Sequence, residues 1–343
     1  MDSVMKPRRE WLIGGLVALI VVSIGVNLLF VARSDVDINL KALGRWFGGL
    51  EGVQWLLTEL GVDWVTPQQA TIQWLERGAR LKEEGRYQEA ITAYEQALEI
   101  NPDEYMAYVG LARVSEALGD LDQALVYLKK ADEIAPENPV VYRHLGRLRC
   151  VRGEYALCVR TLEKAVELDP ESKWAHYWLA GAYQDNDPPD LDQAEAHYLR
   201  ALQLDDHFGE AYLALASLYQ SQPGKEAQAL EMFRNALGVA LATKDEDLEA
   251  QARSGMAALH YAQDDYSACI KEWKRVLEIN PDDPVAHRRL GLCYAMRGGE
   301  GDLGQAVVEL EQSLVREFPL IDAYYFYLGQ YYAQHQDYAR ALW

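Results

Sequence analysis

The chain has 343 residues, half of them hydrophobic, enough for a large core. Its 53 acidic against 33 basic side chains leave a formal charge of −20, which argues against nucleic acid as the main ligand, since that needs a basic footprint. The four cysteines, at 150, 158, 269 and 293, are too few and too irregularly spaced for a disulfide scaffold or a zinc site.

Residues 1–10 form a short tail carrying Lys6, Arg8 and Arg9. Trp11–Ala32 then runs for 22 residues without a charge. As a helix it would span about 33 Å, against a hydrocarbon core of roughly 30 Å, and it reads as one transmembrane helix. A cleaved signal peptide is the rival, but the run is long for one, and Phe30-Val31-Ala32 puts a large ring at the first small position of the cleavage pattern. The basic cluster before the span and Asp35 and Asp37 after it favour a cytoplasmic amino terminus with the rest of the chain extracytoplasmic. Lys41 and Arg45 partly offset that bias.

Residues 33–66 form a connector in which Leu43, Trp46, Phe47, Leu50, Val53, Leu57 and Leu60 share one helical face. This is either an N-terminal cap for the segment beyond it or a membrane-surface helix with Trp46, Trp55 and Trp64 at headgroup level. Gly44, Gly48, Gly49 and Gly52 weaken both helical readings. Thr66-Pro67-Gln68-Gln69 is a helix start, with a capping Thr, Pro in the first turn and Gln three residues on.

From Thr71 a pattern repeats. Gly85, Gly119 and Gly153 are 34 residues apart, as are Ala97, Ala131 and Ala165, and Pro102, Pro136 and Pro170. Apolar spacings of three and four predict helices over Thr71–Glu84 and Tyr87–Ile100, turned at Gly85-Arg86 and stopped at Asn101-Pro102. Gly78 and Ala90 are small where the two helices approach. One such hairpin cannot bury its apolar face alone, so neighbours must stack.

At these residues the chain resembles the tetratricopeptide repeat (TPR) family. The family's W, L, G, Y, A, F, A, P places are held in the first repeat by Trp74, Arg77, Gly78, Leu81, Ala90, Tyr94, Ala97 and Pro102, with Arg77, Leu81 and Tyr94 as departures. The resemblance implies an all-α, right-handed superhelical solenoid of about eight hairpins over 67–343. Its repeats lie near 71–104, 105–138, 139–172, 173–208, 209–249, 250–283 and 284–321, with a partial eighth at 322–343. The fifth has a longer second helix through LEMFRNALGVALATK. The chain stops at Trp343, a few residues into the second helix of the last hairpin, where Tyr325, Leu328 and Tyr332 would lack a partner, so a longer natural chain or a covering partner is expected.

Chemistry is sparse. Gly299–Gly304 matches GxGxxG, but a helical pattern rather than a strand precedes it, which makes it a turn. Asp185–Asp190 lacks the Gly and Glu of a calcium loop and holds two prolines. Cys158 and Cys269 take the place of a buried Ala, as small core hydrophobes do. A Cys150–Cys158 bridge becomes conceivable only outside the cytoplasm. HExxH, CxxC, GxSxG and Walker patterns are absent, and neither a catalytic site, a cofactor nor a metal is expected.

In the TPR family, the second, fifth, sixth and ninth positions of each first helix face a ligand. Carried onto this chain they give Arg113 in repeat two, Arg143, His144 and Arg147 in repeat three, and Trp174, Tyr177 and Trp178 in repeat four. Arg288, Arg289, Phe326 and Tyr327 echo the pattern in repeats seven and eight. Arginine and aromatic side chains dominate binding hot spots, and the guanidinium fork suits carboxylates. An acidic or carboxylate-ended peptide is the expected ligand. The alternative is that these arginines pair with the chain's own acids and the aromatics pack between helices. The family's chaperone-binding carboxylate clamp is not expected, because Val109, Trp174 and Trp178 stand at or near its Lys and Asn places. The implied function is a membrane-anchored scaffold or adaptor for protein partners, used in assembly of an envelope or membrane complex. Two rivals remain: the substrate-binding part of a larger enzyme such as a glycosyltransferase, and a secreted soluble repeat protein.

Overall fold

The computed structural model describes residues 66–314 together with Phe326, Gly329, Gln330 and Ala333. The span at Trp11–Ala32, the connector up to Val65, and Tyr327 lie outside the described residues. Among the described residues no helix is long and apolar enough to cross a membrane. The chain divides between Gln69 and Ala70 into two compact units, and the described part of the first is residues 66–69. There the expected start is formed: the Gln69 amide donates to Thr66 Oγ1 at 3.1 Å and the Thr66 amide donates to Gln69 Oε1 at 3.0 Å.

The described residues fold into helices without a strand. In chain order these are α1 Pro67–Glu83, α2 Tyr87–Ile100, α3 Tyr105–Ala117, α4 Leu121–Ile134, α5 Pro139–Val151, α6 Tyr155–Leu168 and α7 Lys173–Asp185. They continue as α8 Leu191–Leu204, α9 Gly209–Gln220, α10 Glu226–Thr243, α11 Glu246–Ala262, α12 Tyr266–Ile279, α13 Pro284–Arg297 and α14 Asp302–Leu314. Odd-numbered helices open each hairpin and even-numbered ones close it.

The turns are local chemistry repeated. At Gly119 (φ +81°) the Gly amide donates to Glu116 O and the Asp120 amide donates to Ser115 O, both at 2.9 Å, which closes the last turn of α3. The same pair of bonds recurs at Gly85 and Gly153, and at Asp264, which takes the left-handed conformation (φ +58°) without being Gly. Asp120 then caps α4 by accepting from the Gln123 amide at 3.0 Å. At repeat junctions Asn138 and Asp283 accept from the amides of Val140 and Val285, each with Pro at the first helical position. The GxGxxG stretch is such a turn: Gly298 caps α13 and Asp302 accepts from the Gly299 amide at 2.8 Å.

Packing depends on small residues. Ala90, Ala97, Ala124, Ala131, Ala165, Ala194 and Ala201 are fully buried on the closing helices. The Tyr94 ring of α2 is wedged against both Gly78 of α1 and Gly110 of α3. A Cβ on Gly78 would stand 2.8 Å from that ring, and one on Gly110 closer still.

The cysteines depart from expectation. Cys158 and Cys269 are buried at the Ala position, but none of the four is free. Cys150 of α5 bridges Cys158 of α6 within one hairpin, with Cα atoms 5.2 Å apart. Cys269 of α12 bridges Cys293 of α13 across consecutive hairpins, with Cα atoms 6.2 Å apart. The spacing looks irregular in sequence because one bridge closes a hairpin and the other joins two.

Gly110→Val should lower the unfolding free energy by about 1–3 kcal/mol through overpacking against Tyr94. Urea denaturation of both proteins measures it; an unchanged midpoint would show that the Tyr94 wedge is not a fixed contact.

Candidate functional site

Opening helices of four successive hairpins line a cavity of about 640 Å3. Lys82 comes from α1; Arg113, Glu116 and Ala117 from α3; Arg143, His144, Arg147 and Val151 from α5; Trp174 and Trp178 from α7. Three cations expected at ligand-facing positions therefore meet two of the expected tryptophans around one space. The opening helices α3, α5, α7, α9 and α11 touch in succession, so side chains one repeat apart in sequence become neighbours.

The cations are held differently. Arg147 forms an ion pair with Glu116 and its guanidinium lies 5.5 Å from the centre of the Trp178 ring. Arg113 is 3.7 Å from the carboxylate of Glu83, which Lys82 also approaches at 2.6 Å. Arg143 has no carboxylate within ion-pair distance among the described residues. Burial and the neighbouring Arg113 hold its pKa below the usual range. The alternative of internal pairing thus describes Arg147 and, at longer range, Arg113, but not Arg143.

Two polar atoms at this cavity are buried without a partner, Glu116 Oε1 and His144 Nδ1. His144 Nε2 lies 3.4 Å from Arg143 Nη2. A guanidinium can only donate, so Nε2 accepts and the imidazole proton sits on Nδ1. Burial, then the positive charges of Arg143, Arg147 and Arg113, push the His144 pKa down to about 3. Burial raises the Glu116 carboxyl, against the opposing pull of Arg147. The cavity thus offers one buried N–H donor, one buried acceptor and a cation that lacks a carboxylate.

The aromatic side chains form a continuous wall on α7. Trp174 packs edge-on against Tyr177 and Phe208, with centroids 5.9 and 4.6 Å away, and Tyr177 packs edge-on against Trp178 at 5.1 Å. Tyr177 is turned away from the first cavity and lines a second one of about 400 Å3. There it meets Glu210, Leu213, Ala214 and Ser217 of α9, with Asp245, Asp247, Leu248 and Gln251 at the start of α11. Arg288 and Arg289 lie on α13 and line neither cavity; Phe326 is 60% exposed.

The second cavity was missed in the sequence, although the signal was present. Counting from Gly209, the second, fifth, sixth and ninth positions give Glu210, Leu213, Ala214 and Ser217. In the next hairpin α11 begins at Glu246, not at the expected repeat start of 250, because this 17-residue helix has an additional first turn, capped by Asp245. That shift hid Asp247, whereas Gln251 stands at the second position counted from 250.

Native His144 should stay neutral from pH 7 down to about 4, with its proton on Nδ1, in long-range 15N–1H NMR spectra. Its folded pKa lies below the ordinary 6.5, so the unfolded chain takes up the proton first. Its contribution to stability is therefore complete above 6.5 and is lost as pH falls toward 3. Titration of His144 near 6.5 would contradict the burial described.

Known proteins share this helical fold. A family model described as tetratricopeptide repeat matches residues 81–148, and a second of the same description matches residues 254–319. A search of the curated proteins finds no match. Among solved structures, a thermophilic TPR protein of Thermus thermophilus is 29% identical, covering 55% of this chain and 99% of its own, at a TM-score of 0.48. PilW, described as a widely conserved type IV pilus biogenesis factor, is 18% identical over 65% of this chain and 98% of its own, with a TM-score of 0.55. The APC/C hetero-tetramer Cut9–Hcn1 gives a TM-score of 0.60 at 16% identity, covering 74% of this chain and 48% of that one. These last two likenesses show the fold alone, and the family models mark tetratricopeptide repeats within it at residues 81–148 and 254–319.

Proposed function

We propose that the repeats are a non-catalytic scaffold, tethered to a membrane by Trp11–Ala32, that holds an acidic or carboxylate-ended peptide of a partner protein. The peptide lies on the opening-helix face of repeats two to four. One observation carries this reading: a chain of net charge −20 gathers Lys82, Arg113, Arg143 and Arg147 around one cavity, walled by Trp174 and Trp178. A carboxylate there gains charge-assisted hydrogen bonds from Arg143, and the indole faces give contact area at low entropy cost. The task that fits an anchored repeat array is assembly of an envelope or membrane complex.

The test is fluorescence anisotropy with full-length protein in detergent. The probe is fluorescein-Gly-Ala-Gly-Ala-Asp-Asp with a free carboxylate, set against its Asn-Asn amide. The acidic probe should bind at least about tenfold tighter, and Arg113→Glu/Arg143→Glu should remove that preference while circular dichroism stays unchanged. Equal binding of both probes would rule the basic cavity out as an anion site.

The repeats belong on the extracytoplasmic side in this proposal. Lys6, Arg8 and Arg9 before the span support that orientation, and so do the two bridges, since disulfides persist in oxidising compartments. Cells quenched with N-ethylmaleimide should yield Cys150–Cys158 and Cys269–Cys293 as linked peptides in non-reducing mass spectrometry. Alkylation of all four thiols would place the repeats in the cytoplasm.

A further inference from the structure

The two cavities lie side by side on the opening-helix face and differ in charge. The α7 wall separates them, with Trp174 and Trp178 facing the first and Tyr177 the second. The first is basic. The second carries Glu210 and Asp247, neither of whose side chains has an ion pair or hydrogen bond among the described residues. Two nearby acids, by contrast, are paired: Glu195 with Lys225 at 2.8 Å, and Glu249 with Arg253 at 2.8 Å and Arg275 at 3.2 Å. The floor beneath Glu210 and Asp247 is apolar, from Leu213, Ala214 and Leu248. Carboxylates at the mouth, an aliphatic floor and a tyrosine wall suit a long cationic side chain, whose stem packs while its head meets the acids.

We propose that this surface reads a bipolar peptide: carboxylates in the basic cavity of repeats two to four, and a Lys or Arg side chain in the acidic cavity of repeats four to six. This rests on the peptide-binding reading of the basic cavity and adds the composition and orientation of the ligand. From α5, which carries Arg143, to α9, which carries Glu210, there are two helix-to-helix steps of about 10 Å each. An extended chain advances about 3.3 Å per residue, so the opposite charges stand about six residues apart in the ligand.

Four fluorescein-labelled probes test this on full-length protein in detergent, by anisotropy. Two are Lys-Gly-Ala-Gly-Ala-Asp-Asp with a free carboxylate and its reversed-order amide, which together cover both chain directions. The other two carry norleucine in place of Lys. The better Lys probe should bind about three- to fivefold tighter than its norleucine partner, as expected for a partly exposed ion pair. That advantage should vanish in Glu210→Gln/Asp247→Asn, a change of exposed side chains that leaves the melting curve as a folding control. Arg143→Glu should weaken every probe. If Lys and norleucine probes bind equally and both still depend on Arg143, the bipolar reading is overturned while the basic cavity stands. If the Lys advantage persists in Glu210→Gln/Asp247→Asn, the cation sits elsewhere and the proposal fails. If no probe binds above the Asn-Asn amide control, the peptide-binding reading itself fails with it.

Discussion

The structure depends on close approach between neighbouring helices. Tyr94 fits only because Gly78 and Gly110 offer no Cβ, and the buried alanines of the closing helices repeat that economy of volume in later hairpins. Contact at this distance fixes the spacing of consecutive repeats and therefore which side chains of successive opening helices become neighbours. Where the small position is Cys, at 158 and 269, the same proximity brings a second sulfur within bonding range. The disulfides are consequences of the packing as much as supports for it.

Regular packing gives the face its electrostatic character. Charges far apart in sequence converge because each opening helix repeats the same aspect. Lys82, Arg113, Arg143 and Trp178 thus surround one space although 96 positions separate the first from the last. Desolvation then sets their behaviour. His144 is held neutral by burial beside cations, and burial raises the Glu116 carboxyl despite the opposing pull of Arg147. An internally balanced array would have paired Arg143 and satisfied Glu116 Oε1. This one leaves Arg143 without a carboxylate at ion-pair distance among the described residues and Glu116 Oε1 buried without a partner.

Much of the fold was legible in the sequence. The 34-residue step of Gly119, Ala131 and Pro136 announced turn, close contact and stop, because each of those residue types answers to a local constraint on backbone angle, volume or hydrogen bonding. Arg143, His144, Arg147, Trp174 and Trp178 were legible by counting helical positions from the repeat starts. Asp247 was not, because α11 begins at Glu246, a turn ahead of the expected repeat start at 250, and helix length is settled by what the helix packs against. Asp264 was equally hidden, since a left-handed Asp has no composition signal of the kind Gly provides.

The sequence by itself determined the element types, the turns and the period, since these depend on backbone conformation and the spacing of apolar residues within a single hairpin. Only the tertiary structure decided which cysteines meet, which arginine lacks a carboxylate, and that Trp174 and Tyr177 serve two different cavities. Those outcomes depend on distances between residues 8 to 96 positions apart, and such distances come from packing, which no local pattern encodes.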